Sequence, residues 1–272
     1  MAHVASRDGT LIEYDRAGSG PAVVLVGGGL DDGSENAPLF PALAGELTVV
    51  NYRRRGRGGS GDVRPYALER EIEDLAALIA EVGGPAHLFG ASSGGALALE
   101  AAAAGLPIAR VAVYEVPYAI GEEAIATWRE YVARLRSALA AGERQEALAL
   151  FMRLAGSSEE DLAAAQGSPM WPALLDLAHT LAYDAACLGD GPPPAARLAT
   201  ITRPTLVVTG AGVDPHMAGL STDFFGLAAD AITACIPDAR RHTIDRHGHT
   251  VDPETLVPLL TGFFYGEQRS GP

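Results

Sequence analysis

The stretch Ala86-His87-Leu88-Phe89-Gly90-Ala91-Ser92-Ser93-Gly94-Gly95-Ala96-Leu97-Ala98-Leu99-Glu100 decides how the whole chain is read. A short apolar run ends at Gly90, and an alanine-rich run with helical preference begins just after Gly94. Between them stands Gly90-Ala91-Ser92-Ser93-Gly94, the spacing G-x-S-x-G. A serine at a sharp strand-to-helix turn is held in a strained backbone conformation, and its flanking residues must be tiny for the chain to pass. Its hydroxyl then projects above the sheet, while the helix N-terminus offers free N–H groups beside it. Standing alone, the same motif is an ordinary Gly/Ser turn. The strand before it and the helix after it favour the first reading.

Working outward, the same rhythm recurs. Leu11 to Tyr14, Ala22 to Val26, Leu47 to Tyr52 and Ala109 to Tyr114 read as strands. The second ends in Gly27-Gly28-Gly29, which offers bare backbone to a ligand. Ala67 to Val82 is an amphipathic helix with Leu68, Ile72, Leu75, Leu78 and Ile79 on one side, and Gly83-Gly84-Pro85 stops it. From Val116 to Leu198 strand signals vanish and helical segments follow one another: Glu122 to Ala141, Arg144 to Leu154, Glu159 to Ala165 and Trp171 to Cys187. Then Pro204 to Gly210 (strand), Phe224 to Ile236 (helix), Arg241 to Ile244 (strand) and Pro253 to Phe264 (helix) restore the alternation. Such alternation predicts an α/β fold with a mostly parallel central sheet flanked by helices. The predicted division is a core of residues 1–115 and 199–272 and a helical cap of residues 116–198. The last residues, Gln268 to Pro272, are expected to be loosely held.

Composition removes several function classes. The 272 residues are 48% hydrophobic and 20% charged, the profile of a globular chain with a sizeable core. A formal net charge of −14 argues against nucleic-acid or anionic-membrane partners and leaves a small molecule, with a homodimer open. All 20 basic residues are arginine, so neither a Schiff-base lysine nor a phosphate-loop lysine is present. Cys187 and Cys235 lack any metal-like spacing and read as reduced thiols used in packing. No metal and no cofactor is implied. The N-terminus lacks a signal-peptide layout, and no apolar run reaches the roughly 18 residues of a membrane helix, so a cytoplasmic location is expected. The arginine-rich run Arg53 to Arg57 is expected to be a solvated loop pairing with nearby carboxylates, and Asp31 and Asp32, which follow the glycine loop, are candidate partners of Arg53.

In parallel sheets catalytic residues gather at the C-terminal ends of strands. Ser92, Asp214 and His249 each follow a predicted strand, in the chain order Ser, Asp, His. His247 rivals His249. Asp214 is the favoured acid, although it stands one residue later after Gly210 than a G-x-x-D spacing would place it. Glu115, at the end of the strand that follows the Ser92 helix, is the alternative.

From Asp8 to Phe264 the chain resembles an α/β-hydrolase, of the small bacterial type with a helical cap. The resemblance rests on Val24 to Gly29, Tyr52 to Asp62, Glu69 to Ile79, Gly90 to Ala102, Val113 to Pro117, Thr180 to Asp184, Pro204 to Gly210 and Gly248 to Glu254. It implies that Ser92 attacks an acyl carbon with His249 as general base, and that the N–H groups of Gly29 and Ser93 hold the oxyanion. It departs from the family at Gly27, where a histidine is usual, and at Arg53, where an aspartate is usual. Leu30, Arg53, Trp128, Tyr131, Trp171, His179 and Tyr183 are the expected pocket residues. The favoured function is a cofactor-independent serine hydrolase acting on an ester, lactone or thioester of a small hydrophobic molecule. Two others stay open: a non-hydrolytic enzyme of the same fold performing a cyclisation, C–C bond-forming or lyase step, and a non-catalytic small-molecule receptor.

Overall fold

The computed structural model describes residues 1–212 and 214–266; the expectation for 268–272 lies outside them. Eight strands build one sheet: β1 (Ala2–Ala5), β2 (Leu11–Ala17), β3 (Ala22–Val26), β4 (Thr48–Tyr52), β5 (Ala86–Ala91), β6 (Ile108–Tyr114), β7 (Thr205–Gly210) and β8 (Ala239–Ile244). Their spatial order is β1-β2-β4-β3-β5-β6-β7-β8. Only β1 and β2 run antiparallel to their neighbours; from β4 to β8 every pairing is parallel. The central strands β3 and β5 are buried along nearly their whole length, and apart from His87 they carry only apolar residues and glycine, because both sheet faces are covered.

The helices are α1 (Leu39–Leu43), α2 (Leu68–Glu81), α3 (Ser92–Ala103), α4 (Glu122–Ala140), α5 (Arg144–Leu154), α6 (Glu159–Gln166), α7 (Trp171–Leu177), α8 (Leu181–Leu188), α9 (Ala195–Leu198), α10 (Phe224–Cys235) and α11 (Pro253–Tyr265). Leu75, Leu78 and Ile79 of α2 are fully buried, each worth about 1.5–3 kcal/mol of transfer free energy. Helix α3 is apolar on nearly every side and sits under the centre of the sheet. Tyr14, Val24, Leu97 and Leu181 share one core with the helices of 116–198, and Val23, Phe89, Leu206 and Phe264 belong to a second core. No helix among the described residues is long and apolar enough to cross a membrane.

Two readings of local structure need correction. The span Trp171 to Cys187 is not one helix: a 3-10 turn at Ala178–Thr180 divides it, with Thr180 Oγ1 donating to the Leu177 carbonyl at 2.8 Å. The arginine loop is not solvated. Arg54, Arg55 and Arg57 are all but fully buried, each tied to carboxylates supplied by other elements. Isolated charges could not sit there, since burial of an unpaired ion is costly.

Candidate active site

The two residues that open the site follow directly on a paired couple of the sheet, Ala91 of β5 and Tyr114 of β6. They are Ser92, at φ +52°, and Glu115, at φ +45°. Side chains other than glycine avoid this region of backbone space, and strain of that kind collects at functional sites. The flanking glycines are required sterically. A Cβ on Gly90 would lie 2.4 Å from the Gly94 carbonyl oxygen, and one on Gly94 would lie 2.3 Å from that of Val26. The turn is therefore pressed against the end of β3. A Cβ on Gly28 would stand 3.2 Å from Ser92 Cβ, so the glycine run after β3 and the serine share one corner.

Glu115 is 3% exposed and uses both oxygens. Oε1 accepts from the Gly210 amide at 2.9 Å, and Oε2 lies 2.7 Å from His249 Nδ1. Of the two carboxylates weighed from the sequence, the one that meets His249 Nδ1 is Glu115, directly after β6. Asp214 instead opens the 3-10 turn after β7, its carbonyl accepting from Met217 N at 3.0 Å. The histidine loop is held by close backbone packing, since a Cβ on Gly210 would fall 1.9 Å from the His247 carbonyl oxygen. Tyr114 Oη also donates to the Gly248 carbonyl. Phe225 stacks on His249 with ring centroids 5.1 Å apart. The rival His247 faces Asp252 at 3.3 Å, at the start of α11.

The glycine loop is bounded by acids. The space of the histidine usual at Gly27 is taken by Asp31, whose Oδ2 lies 1.8 Å from where a Gly27 Cβ would be. Asp31 Oδ1 accepts from Gly33 N and Glu35 N, and does not pair with Arg53. Glu35 turns its carboxyl inward to accept from Gly28 N at 3.0 Å. Burial, with the charge of Asp31 added, pushes the Glu35 carboxyl above the usual carboxylate range. From the helical segment, Phe151 and Asp184 Oδ2 lie 3.5 and 3.6 Å from a Cβ placed on Gly29.

Asp184 on α8 is the hub of a buried network. Its Oδ1 accepts from Arg54 Nη1 (2.7 Å), Arg57 Nη2 (2.8 Å) and Ser93 Oγ (2.7 Å). Burial works to raise its pKa, but the charges of Arg57 and Arg54 outweigh it and hold the group below its ordinary value. Arg54 also makes a two-pronged bond to Glu71 of α2, both contacts at 2.8 Å. Among the described residues no group of three or more His, Cys, Asp or Glu could hold a metal ion.

The expected pocket residues divide. Leu30, at φ +61°, follows Gly29 directly in the chain. Arg53 does not: it pairs with Asp15 at 2.6 Å and Glu13 at 3.5 Å at the β2–β4 side of the sheet. Tyr183 stacks flat on Tyr66 at 3.8 Å and donates to Asp62, while His179 sets its edge to Tyr183. These two fasten the helical segment to the loop after β4. Trp128 donates to the Gly189 carbonyl at 3.0 Å and packs on Tyr131, and Trp171 is buried at the start of α7. A separate groove of about 850 Å³ is lined by residues such as Arg144, Arg153, Leu162 and Asp176, with no residue of the Ser92 cluster. Sequence reasoning missed Phe225 and Glu35, which no spacing marks; Phe151 stood only among the aromatic residues of the helical segment from which some pocket contacts were expected. Asp184 stood in a motif that carried the resemblance but was given no role.

Residues 22–259 match the sequence profile of the alpha/beta hydrolase family. The chain belongs to that family. A crystal structure of an alpha/beta hydrolase from Sphaerobacter thermophilus DSM 20745 is 46% identical, with a TM-score of 0.84 over 97% of this chain and 100% of the other. A hydrolase from Pseudomonas aeruginosa PA01 is 25% identical, with a TM-score of 0.70 over 97% of this chain and 98% of the other. The uncharacterized hydrolase YraK of Bacillus subtilis (strain 168) is 36% identical over 96 residues, 34% of this chain and 35% of that protein. The chain spans about a third of the length of the curated relatives it matches. In this alpha/beta hydrolase the strand order puts β5, β6 and β7 side by side, so their ends converge on one corner.

Proposed function

We propose that the protein is a cofactor-independent serine hydrolase acting on an ester, lactone or thioester of a small hydrophobic molecule, with Ser92, His249 and Glu115 as its triad. The observation that carries this reading is the 2.7 Å pair of Glu115 Oε2 and His249 Nδ1, made from the strand end beside a positive-φ serine. A carboxylate there fixes the proton on Nδ1 and leaves Nε2 free to accept one.

Ser92 Oγ attacks the acyl carbon while His249 Nε2 takes its proton. The carbonyl electrons move onto oxygen, which the N–H groups of Ser93 and Gly29 stabilise. The imidazolium then protonates the leaving oxygen or sulfur as the bond to the acyl carbon breaks, and an acyl-Ser92 remains. Water repeats the sequence and frees the acid. Residues 116–198 act as a cap over this corner. Phe151 beside Gly29 and Phe225 stacked on His249 are apolar side chains at this corner, which supports a hydrophobic acyl group.

The non-hydrolytic reading drew on an unassigned acid and on Arg53 beside the site. In the triad proposed here Glu115 serves as the acid, and Arg53 pairs with Asp15, so neither feature favours that reading. The test is intact-mass analysis after treatment with a fluorophosphonate, on wild type and Ser92→Ala together. One adduct on wild type, absent from the folded variant, is expected. A folded wild type that takes no adduct defeats the proposal.

A further inference from the structure

Asp184 belongs to the cap, yet its carboxylate is set against the two segments from which the oxyanion donors come. On one side its Oδ1 accepts from Ser93 Oγ, and the Ser93 amide is one proposed donor. On the other, its Oδ2 lies 3.6 Å from the Cβ position of Gly29, whose amide is the second. A bare negative charge at that distance would oppose a developing oxyanion. Arg54 and Arg57, both all but fully buried, neutralise it.

The same arginines grip the glycine loop from behind. Arg57 Nη1 donates to the Gly28 carbonyl and, at 3.4 Å, to that of Asp31, while Arg54 Nη1 reaches the Gly27 carbonyl at 3.3 Å. A peptide unit is planar, so holding the Gly28 carbonyl oxygen on one side sends the Gly29 N–H to the opposite side. The orientation of the second donor is therefore set by Arg57, and Arg57 is oriented by a two-oxygen grip from Asp184 at 2.8 and 2.9 Å. Glu71 holds Arg54 but does not reach Arg57, so Asp184 is the carboxylate that joins both guanidinium groups to Ser93.

We propose that Asp184 is a positioning residue: seated from the cap between Arg54, Arg57 and Ser93, it assembles the oxyanion hole, which is complete only while the cap is docked. Binding of substrate in the ground state does not need the hole, so the effect falls on kcat and spares KM. The inference rests on the serine hydrolase reading.

The test compares wild type, Asp184→Asn and Arg57→Lys by three measurements: the rate constant of phosphonylation by a fluorophosphonate, kcat and KM for p-nitrophenyl butyrate, and thermal unfolding. Asparagine keeps the shape but removes the charge and turns a donor toward one of the arginines. Lysine keeps the charge but loses the planar fork. Loss of an oxyanion donor costs about 100- to 1,000-fold in kcat. In the folded Asp184→Asn protein, phosphonylation and kcat are expected to fall together by about 100-fold, with KM changed less than about threefold. A purely structural Asp184 would lower the unfolding midpoint and leave both rates of the folded protein at wild-type values, which overturns the proposal. If Asp184→Asn yields no folded protein, Arg57→Lys carries the test with the same expected split, and unchanged rates overturn it. A wild type that is not phosphonylated removes the nucleophile and this inference with it. A labelled wild type with an unaffected variant removes the positioning role alone.

Discussion

Replacing Glu115 by glutamine conserves shape and removes one charge, and the structure dictates what the new amide must do. Glu115 Oε1 accepts from the Gly210 amide at 2.9 Å, which can only donate. The glutamine oxygen is therefore held on that amide, and its NH2 group faces His249 Nδ1, where Oε2 now lies at 2.7 Å. Facing a donor, Nδ1 must become the acceptor, so the imidazole proton moves to Nε2. That nitrogen can then no longer take the proton of Ser92. A buried triad acid changed to its amide in a serine protease lowers kcat by about 10,000-fold, and the same tautomer trap predicts a drop of that order, about 5.5 kcal/mol, here. The assay is kcat for p-nitrophenyl butyrate, alongside fluorophosphonate labelling and a thermal melt to show that the variant is folded. Asp214→Asn is the control and is expected to change kcat by less than about threefold. If Glu115→Gln keeps more than about a tenth of wild-type kcat, or if Asp214→Asn loses as much, the assignment of the acid is wrong.

Two further outcomes concern stability. His87 is buried on β5, stacked on Phe264 with centroids 4.6 Å apart, and burial, aided by the charge of Arg110, lowers its pKa to about 4. The unfolded chain takes up this proton near pH 6.5 and the folded chain only near 4, so the contribution is present above pH 6.5 and is lost as pH falls through that window, up to about 3 kcal/mol. Urea unfolding at stepped pH should therefore show wild type weakening from pH 6.5 to 4 and His87→Leu weakening less; parallel curves would sink the idea. Gly94→Ala drives a Cβ to 2.3 Å from the Val26 oxygen and 2.5 Å from that of Gly27, both backbone atoms unable to step aside. A cost of about 3 kcal/mol is expected, lowering Tm by roughly 6–12 °C, and a melt within about 2 °C of wild type would contradict the packing.

How the chain's own order relates to its structure is clearest at the strand ends. Strand β3 and helix α5 were legible to the residue, because an apolar run bounded by glycines and a helical period are local signals. β1 and the short α1 were not, for their edge and turn-like sequences carry little hydrophobic pattern. Ser92 and its glycines were legible because the constraint on them comes from neighbours in sequence: Gly90 meets Gly94, a few residues on. Gly94 also meets Val26, which gives the same small residue a second, distant reason.

The arginine run shows the opposite case. Four closely spaced cations in an acidic chain read as a solvated loop, since nothing nearby in sequence explains burying them. The partners of Arg54, Arg55 and Arg57 are Asp8, Glu71, Asp74 and Asp184, and those of Arg53 are Glu13 and Asp15, brought from segments that only folding unites.

The sequence by itself determined the parallel α/β architecture, the strained serine turn and the histidine before the last helix, each written in residues close along the chain. Which carboxylate meets His249 was decided by tertiary structure, because Glu115 and His249 are 134 residues apart and meet only through the sheet order β6-β7-β8. The place of Asp184 was decided in the same way: a hydrogen bond of 2.7 Å between Ser93 and an acid 91 residues further on has no local signature, since distance in space, not in sequence, sets its energy.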